Sequence, residues 1–235
     1  MTTKNLARVG GLLYLAVAIA GGFSEYVRTA NMVSGDAAAT AAKVANHATL
    51  FQIAFAADLA DLPMFLAVGI VMYVIFRPVN APIAMGMLVL NAVSVPIQAL
   101  NMLNHAGALL VATQPQFAAV GSSSAVLLLL DLHRVGYLVA QIFFGLYLLP
   151  LGYLVYRSGY LPRALGLVLI AGSGGYVAGV AVSFAAMGFE SAAATYFGLV
   201  GGVAELIFLL WLLVRGVDRR ESTGEPVKGA LTWTA

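Results

Sequence analysis

The chain contains no cysteine. That excludes disulfides, thiolate metal ligation and a cysteine nucleophile. Charge is almost as scarce. Only 9% of the 235 residues are Asp, Glu, Lys or Arg, where a soluble domain carries roughly 25%. No stretch interleaves basic and aromatic residues as a nucleic-acid surface would, so no nucleic-acid partner is expected. There is no His-Glu-x-x-His pattern, and Ser122, Ser123 and Ser124 lack a Gly-x-Ser-x-Gly turn. What is abundant is apolar: 61% of residues are hydrophobic and the mean hydropathy is +0.93. This composition belongs to an integral membrane protein, with the lipid bilayer as its first partner.

A spanning helix needs about 20 mainly apolar residues. Six runs meet that length: about Leu6 to Tyr26, Leu50 to Phe76, Ala81 to Leu103, Ala125 to Tyr156, Pro162 to Phe184 and Ala192 to Val214. The expected fold is therefore all-α, a six-helix transmembrane bundle over residues 1–215. A polar, Gly- and Pro-containing tail over 216–235 is expected to be disordered. The first run, with Lys4 and Arg8 ahead of it and Ala18-Ile-Ala20 within it, resembles a secretory signal. Its apolar segment continues to about Val27, which favours a retained first span. One side of the spans holds Lys4, Arg8, Arg77, Arg157, Arg163, Arg215, Arg219, Arg220 and Lys228, the other only Arg28, Lys43 and Arg134. This imbalance places both termini in the cytoplasm and the protein in the cell (inner) membrane. In the long external loop, Ser34-Gly-Asp36 followed by Ala37-Ala-Ala-Thr-Ala-Ala reads as an N-cap and helix start. It begins either a short surface helix or an extension of the second span.

Tyr73-Val-Ile-Phe-Arg77 and Tyr153-Leu-Val-Tyr-Arg157 lie 80 residues apart, an offset that also matches Pro82 with Pro162, Gly86 with Gly166 and Asp61 with Gln141. A parallel repeat of two helical hairpins would produce this. So would the ordinary preference of any cytoplasmic hairpin for interfacial Tyr, Arg and an early Pro. Gly175-x-x-x-Gly179 and Gly198-x-x-x-Gly202 are close-approach motifs, favoured for packing within the bundle over a dimer interface.

The sharpest pattern lies in the third run. Asn91, Ser94, Gln98, Asn101 and His105 recur at spacings of 3, 4, 3 and 4, placing all five on one helical face. A polar stripe facing lipid is costly, so this face should turn into protein or into a wet cavity. Pro96 frees the carbonyl of Ala92 and bends the helix. Depth follows from about 1.5 Å rise per residue: Asp61 lies about 24 Å from the cytoplasmic end of its span, Asp58 about 28 Å, Glu25 about 25 Å, Gln98 about 27 Å and Gln141 about 24 Å. Asp131, His133 and Arg134 come out higher, at about 35 to 39 Å, and Glu205 is alone near the midplane at about 15 Å. Several helices thus bring polar groups into the outer half of the bilayer, which predicts a polar cavity open to the extracytoplasmic side.

The candidate ligand-binding residues are Glu25, Asp58, Asp61, Gln98, Asn101, His105, Asp131, His133, Arg134, Gln141 and Glu205. Each has a plainer structural role beside the functional one. Asp131 and Arg134 are three apart and can simply pair. Asp58 and Asp61 share a face, and two carboxylates in low dielectric resist both being ionised, so they need a cation, a proton or Arg134. Glu205 can be protonated or bond the third span at Asn91. His105 and His133 can be wet interface residues, and the amides can be helix-to-helix hydrogen bonds. Asp131-Leu-His133 is not a standard zinc arrangement. No metal or cofactor is therefore assigned, although a mixed site from Asp58, Asp61, His105 and His133 is sterically conceivable. Catalytic residues are not assigned either.

Several stretches together carry a family likeness. They are Ala7-Arg-Val-Gly-Gly-Leu-Leu-Tyr14, Gly35-Asp-Ala-Ala-Ala-Thr40, Asp131-Leu-His133 with Phe143-Phe-Gly-Leu-Tyr147, Leu151-Gly-Tyr-Leu-Val-Tyr-Arg-Ser-Gly-Tyr-Leu-Pro-Arg163, Gly202-Val-Ala-Glu205 and Trp211-Leu-Leu-Val-Arg215. Over about residues 6 to 217 the chain resembles the bacterial domain-of-unknown-function family 4386. The resemblance implies a multi-pass bacterial membrane protein and no particular activity. Two classes of function stand. The first is a binding protein or transporter taking a small cationic or amphipathic molecule, or protons, into the cavity. The second is an intramembrane hydrolase or transferase using Asp and His with a metal.

Overall fold

The computed structural model describes residues 2–117, 123–185 and 192–217. The elements are α1 (Thr3–Asn31), α2 (Ala37–Asn46), α3 (Ala48–Phe76), α4 (Ala81–Thr113), α5 (Ser123–Ser158), α6 (Arg163–Ala185) and α7 (Ala192–Val214), with one 3-10 turn at Pro115–Phe117. All but α2 are long and apolar enough to cross a membrane. The protein is a multi-pass, all-helical membrane protein. The stretch beyond Val217, where a disordered tail is expected, lies outside the described residues.

Helix starts follow their capping chemistry. The side chains of Thr2, Asp36 and Asn80 accept hydrogen bonds from the backbone N–H groups of Asn5, Ala39 and Ile83, which satisfies donors that have no partner inside the helix. Asp36 thus caps a helix as its sequence suggests. That helix is separate from α3, because His47 between them leaves the helical conformation (φ −109°, ψ 27°). It is also not a free surface helix: buried Thr40 and Val44 seat it against α4 and α5.

Two spans run further than their apolar runs indicate. α1 continues past Tyr26 to Asn31, and α4 past Leu103 to Thr113. In both, buried polar residues take over from apolar ones as the inward face: Arg28 and Asn31 on α1, Asn101 and His105 on α4. A hydropathy window ends there, but the helix does not.

Each spanning helix packs on its neighbours in the chain order α1, α3, α4, α5, α6, α7, and α7 returns against α1 to close the ring. The closure depends on small residues. A Cβ on Gly11 would stand 3.0 Å from the Leu213 backbone nitrogen. Between α6 and α7, a Cβ on Gly172 would meet Ala204 at 2.7 Å and one on Gly175 the Phe197 carbonyl at 2.7 Å. These small residues serve packing within the bundle.

Side-chain hydrogen bonds tie the helices where apolar packing pauses. Ser24 Oγ donates to the Ala54 carbonyl at 2.8 Å, Asn91 Nδ2 to the Phe65 carbonyl at 3.2 Å, Asn101 Nδ2 to the His133 carbonyl at 2.7 Å and Ser173 Oγ to the Gly145 carbonyl at 2.6 Å. Gly69 and Gly136 make room for the two amides, since a Cβ on either would collide with Asn91 or Asn101.

The apolar interior is split into two clusters. One gathers Tyr14, Phe65, Met72, Phe76, Tyr147, Leu151 and Phe208; the other gathers Val27, Val44, Phe51, Ala54, Ala108, Val126 and Leu130. Along α1, α3, α4 and α5 buried or half-buried polar residues, among them Ser24, Asp58, Asp61, Asn101, His133 and Gln141, lie between these clusters. The site lies in that layer.

Candidate functional site

A cavity of about 360 Å³ occupies the layer between the two apolar clusters. Every spanning helix contributes to its wall. α1 supplies Tyr14, Glu25 and Arg28, α3 supplies Asp58, Asp61 and Phe65, and α4 supplies Gln98, Asn101 and Met102. α5 adds His133, Tyr137 and Phe144, α6 adds Tyr176, and α7 adds Glu205, Leu206 and Leu209.

The polar stripe of α4 does face inward. Asn91, Ser94 and His105 are fully buried and Asn101 is nearly so, whereas Leu100 and Leu103 on the opposite face are 69% and 68% exposed. Gln98 and Asn101 reach the cavity. The amides of Asn91 and Asn101 are spent mainly on neighbouring backbones, in keeping with a helix-joining role.

Of the residues singled out from sequence, Glu25, Asp58, Asp61, Gln98, Asn101, His133 and Glu205 come together on this wall. His105 sits behind it, with its ring between those of Phe51 and Phe55 at 5.6 Å from each. Asp131 and Arg134 lie apart from it. They pair with each other at 3.3 Å and remain partly solvent-accessible. Gln141 is buried but does not line the cavity; its Nε2 lies beside Gly198 of α7, 3.7 Å from where a Cβ there would stand.

On α3, Asp58 finds a cation other than Arg134, the one named from the sequence. Arg28, not Arg134, pairs with Asp58, and its Nε and Nη2 also donate to Glu25 at 3.3 and 3.1 Å. The Arg28 and Asp58 side chains are only 7% and 12% exposed. Arg28 falls just past the apolar run of α1, where a cation reads as part of a loop. The three-residue spacing from Glu25 was the available signal.

Glu205 also finds different partners. It does not meet Asn91. Tyr14 and Tyr147 donate to its Oε1, the second at 3.0 Å, and Tyr176 donates to Oε2 at 2.6 Å. The Tyr14 and Tyr147 hydroxyls touch each other as well. Three tyrosine hydroxyls from three helices thus gather around one buried carboxyl group. No local sequence pattern links these tyrosines, which come from α1, α5 and α6, to Glu205.

His105 and His133 are not interface residues either. Both are buried, with ring centroids 5.7 Å apart. One nitrogen of each is engaged by a backbone carbonyl: His105 Nε2 with Phe51 at 3.2 Å and His133 Nδ1 with Asn101 at 3.3 Å. A carbonyl can only accept, so these nitrogens carry the protons and the other nitrogen of each ring is a lone-pair acceptor. Asp58, His105 and His133 each present a ligand-capable atom within 4.8 Å of the other two. His105 Nδ1 and Asp61 Oδ1 are buried without a hydrogen-bond partner. An unsatisfied buried acceptor of this kind costs about 1–3 kcal/mol.

With this geometry in hand, comparison with known proteins places the chain in a family without assigning it an activity. Residues 9–216 match a family described as a domain of unknown function (DUF4386). The chain belongs to that family. An uncharacterized protein of Archaeoglobus fulgidus is 35% identical over 88 residues, 37% of this chain and 51% of the relative. The match therefore spans about half of that protein's length. No solved structure matches. The DUF4386 match runs from α1 to the end of α7, so it takes in every helix that walls the cavity.

Proposed function

We propose that this protein binds, and in the membrane transports, a small cationic amphipathic molecule held in the central cavity. One observation carries the reading. The cavity wall holds four carboxylates, Glu25, Asp58, Asp61 and Glu205, against the single guanidinium of Arg28. Those carboxyl groups are enclosed by the rings of Tyr14, Phe65, Tyr137, Phe144 and Tyr176. An ammonium group gains from a carboxylate and from aromatic faces together, and the apolar Val17, Leu206 and Leu209 suit an attached hydrocarbon. The volume falls in the range of about 300–1,000 Å³ usual for small-molecule sites.

Charged residues within spans normally face a pathway or one another; here Arg28 pairs with Glu25 and Asp58 on the cavity wall. In this reading both termini are cytoplasmic, the cavity opens to the extracytoplasmic side, and the protein resides in the cell (inner) membrane. The Lys and Arg distribution supports that orientation. Thermal unfolding of purified protein against a panel of alkylammonium ions and alkyl carboxylates tests the proposal. The cations raise the midpoint, the carboxylates do not, and Glu205→Gln abolishes the rise. A midpoint indifferent to every cation rejects it. At a concentration one hundred times Kd the expected stabilisation is about 2.7 kcal/mol.

A second reading, an intramembrane hydrolase or transferase, is favoured by the convergence of Asp58, His105 and His133. It requires a bound metal ion, and protein that binds none removes it.

A further inference from the structure

We propose that Asp58, His105 and His133 form a binding site for a divalent metal ion of the zinc or ferrous class, set in the wall of the cavity. Their three ligand-capable atoms lie within 4.8 Å of one another. In a tetrahedral zinc site the ligand atoms stand about 2.0–2.2 Å from the metal and hence roughly 3.3 Å apart. Small side-chain rotations close the difference.

The bonds around the trio are those that orient metal ligands. Metal-bound imidazoles usually donate their other N–H to a backbone carbonyl or a carboxylate, which fixes the tautomer and aims the free nitrogen. The Phe51 and Asn101 carbonyls stand in those positions for His105 and His133. Arg28 does the same for Asp58, taking Oδ2. His105 Nδ1 is the independent sign of a missing ligand, since it is buried in a side chain with no exposed surface and has no hydrogen-bond partner.

The alternative is that the two imidazoles are packing residues among Phe51 and Phe55. Packing alone does not explain why two imidazoles from different helices bring ligand-capable atoms within 4.8 Å of one carboxylate. Charge points the same way. Arg28 is shared between Glu25 and Asp58, and Asp61, one turn along α3 from Asp58, adds a further carboxylate with a buried unpartnered oxygen. A divalent cation offsets that excess. Two nitrogens and a carboxylate, with no thiolate, select zinc, ferrous or cobaltous ions over calcium or magnesium, which prefer all-oxygen sites. Asp58 and His133 both line the cavity, so the ion's remaining positions face the space where a substrate or water sits.

The site stands independently of the cationic-ligand reading, and one set of variants separates them. Full-length protein purified without chelators is expected to contain about one equivalent of zinc or iron per chain by elemental analysis. After chelator stripping, added Co2+ should give the visible d–d absorption of a nitrogen- and oxygen-ligated ion, displaced by Zn2+. His105→Ala and His133→Ala should weaken Zn2+ uptake at least about tenfold, the scale that even supporting residues carry. Glu205→Gln should retain the metal while losing the response to organic cations. Wild-type protein that takes up neither Zn2+ nor Co2+ overturns the proposal, with no dependence on how any variant folds. Folded His133→Ala that retains full uptake overturns it equally.

Discussion

Arg28 on α1 and Asp58 on α3 form an ion pair, with little solvent access to either side chain. Taking one charge away leaves the other buried and uncompensated, which typically costs about 3–5 kcal/mol. Arg28→Met is expected to lower the unfolding midpoint sharply in detergent. Because the pair carries its own desolvation cost, Arg28→Met with Asp58→Asn should recover most of that loss. A double-mutant cycle reads the coupling, and additive effects would show that the two charges act separately.

The tyrosine cage gives a second prediction. Tyr176→Phe removes the hydroxyl that donates to Glu205 Oε2, and hydrogen bonds to charged groups are worth about 1.5–3 kcal/mol. The same substitution in a Glu205→Gln background should cost clearly less. Unfolding of the two single variants and the double variant measures this. Equal losses in both backgrounds would remove the carboxylate as the reason these hydroxyls gather.

Gly86 and Gly166, matched by the 80-residue offset, sit in different surroundings. A Cβ on Gly166 would stand 2.6 Å from the Gly152 carbonyl and 2.7 Å from the Tyr156 nitrogen, whereas one on Gly86 meets nothing within 4 Å. Backbone cannot yield as a side chain can, so Gly166→Ala should force α5 and α6 apart and cost about 1–3 kcal/mol. Gly86→Ala should be neutral or stabilising by up to about 1 kcal/mol, the difference in helix propensity. Thermal melts of the two variants side by side decide it.

A chain without cysteine allows a clean test of orientation. In intact cells a membrane-impermeant maleimide should label Ser34→Cys, between α1 and α2, and leave Ser222→Cys unlabelled until the membrane is permeabilised. The reverse pattern would invert the proposed topology and turn the cavity toward the cytoplasm.

The spans were legible because an apolar run of bilayer length has few other uses, and the stripe on α4 because its spacing follows the helical turn. What hid was everything depending on two distant helices at once. Arg28 stands outside an apolar run and looks like a loop cation until α1 is seen to continue to Asn31. Tyr14 and Glu205 are 191 residues apart, and no local pattern links them. Tyrosine on a membrane helix suggests an interface anchor as readily as a hydrogen-bond donor. Rise per residue gives an expected level for each lone polar group, but not the side of the helix it occupies. That is why Gln141, although placed at the level of Asp61, turned toward α7 instead of the cavity.

The seam between Gly11 and Leu213 joins α1 with α7, the last of the described helices to be synthesised. Until α7 arrives, Tyr14 has no acid to hold, and the carboxylates of α1 and α3 stand in an open trough with one flank facing acyl chains. Biogenesis thus carries an interval in which an incomplete vessel must be tolerated or shielded. A nascent chain halted before Glu205 would be spanning and helical, yet unable to enclose anything.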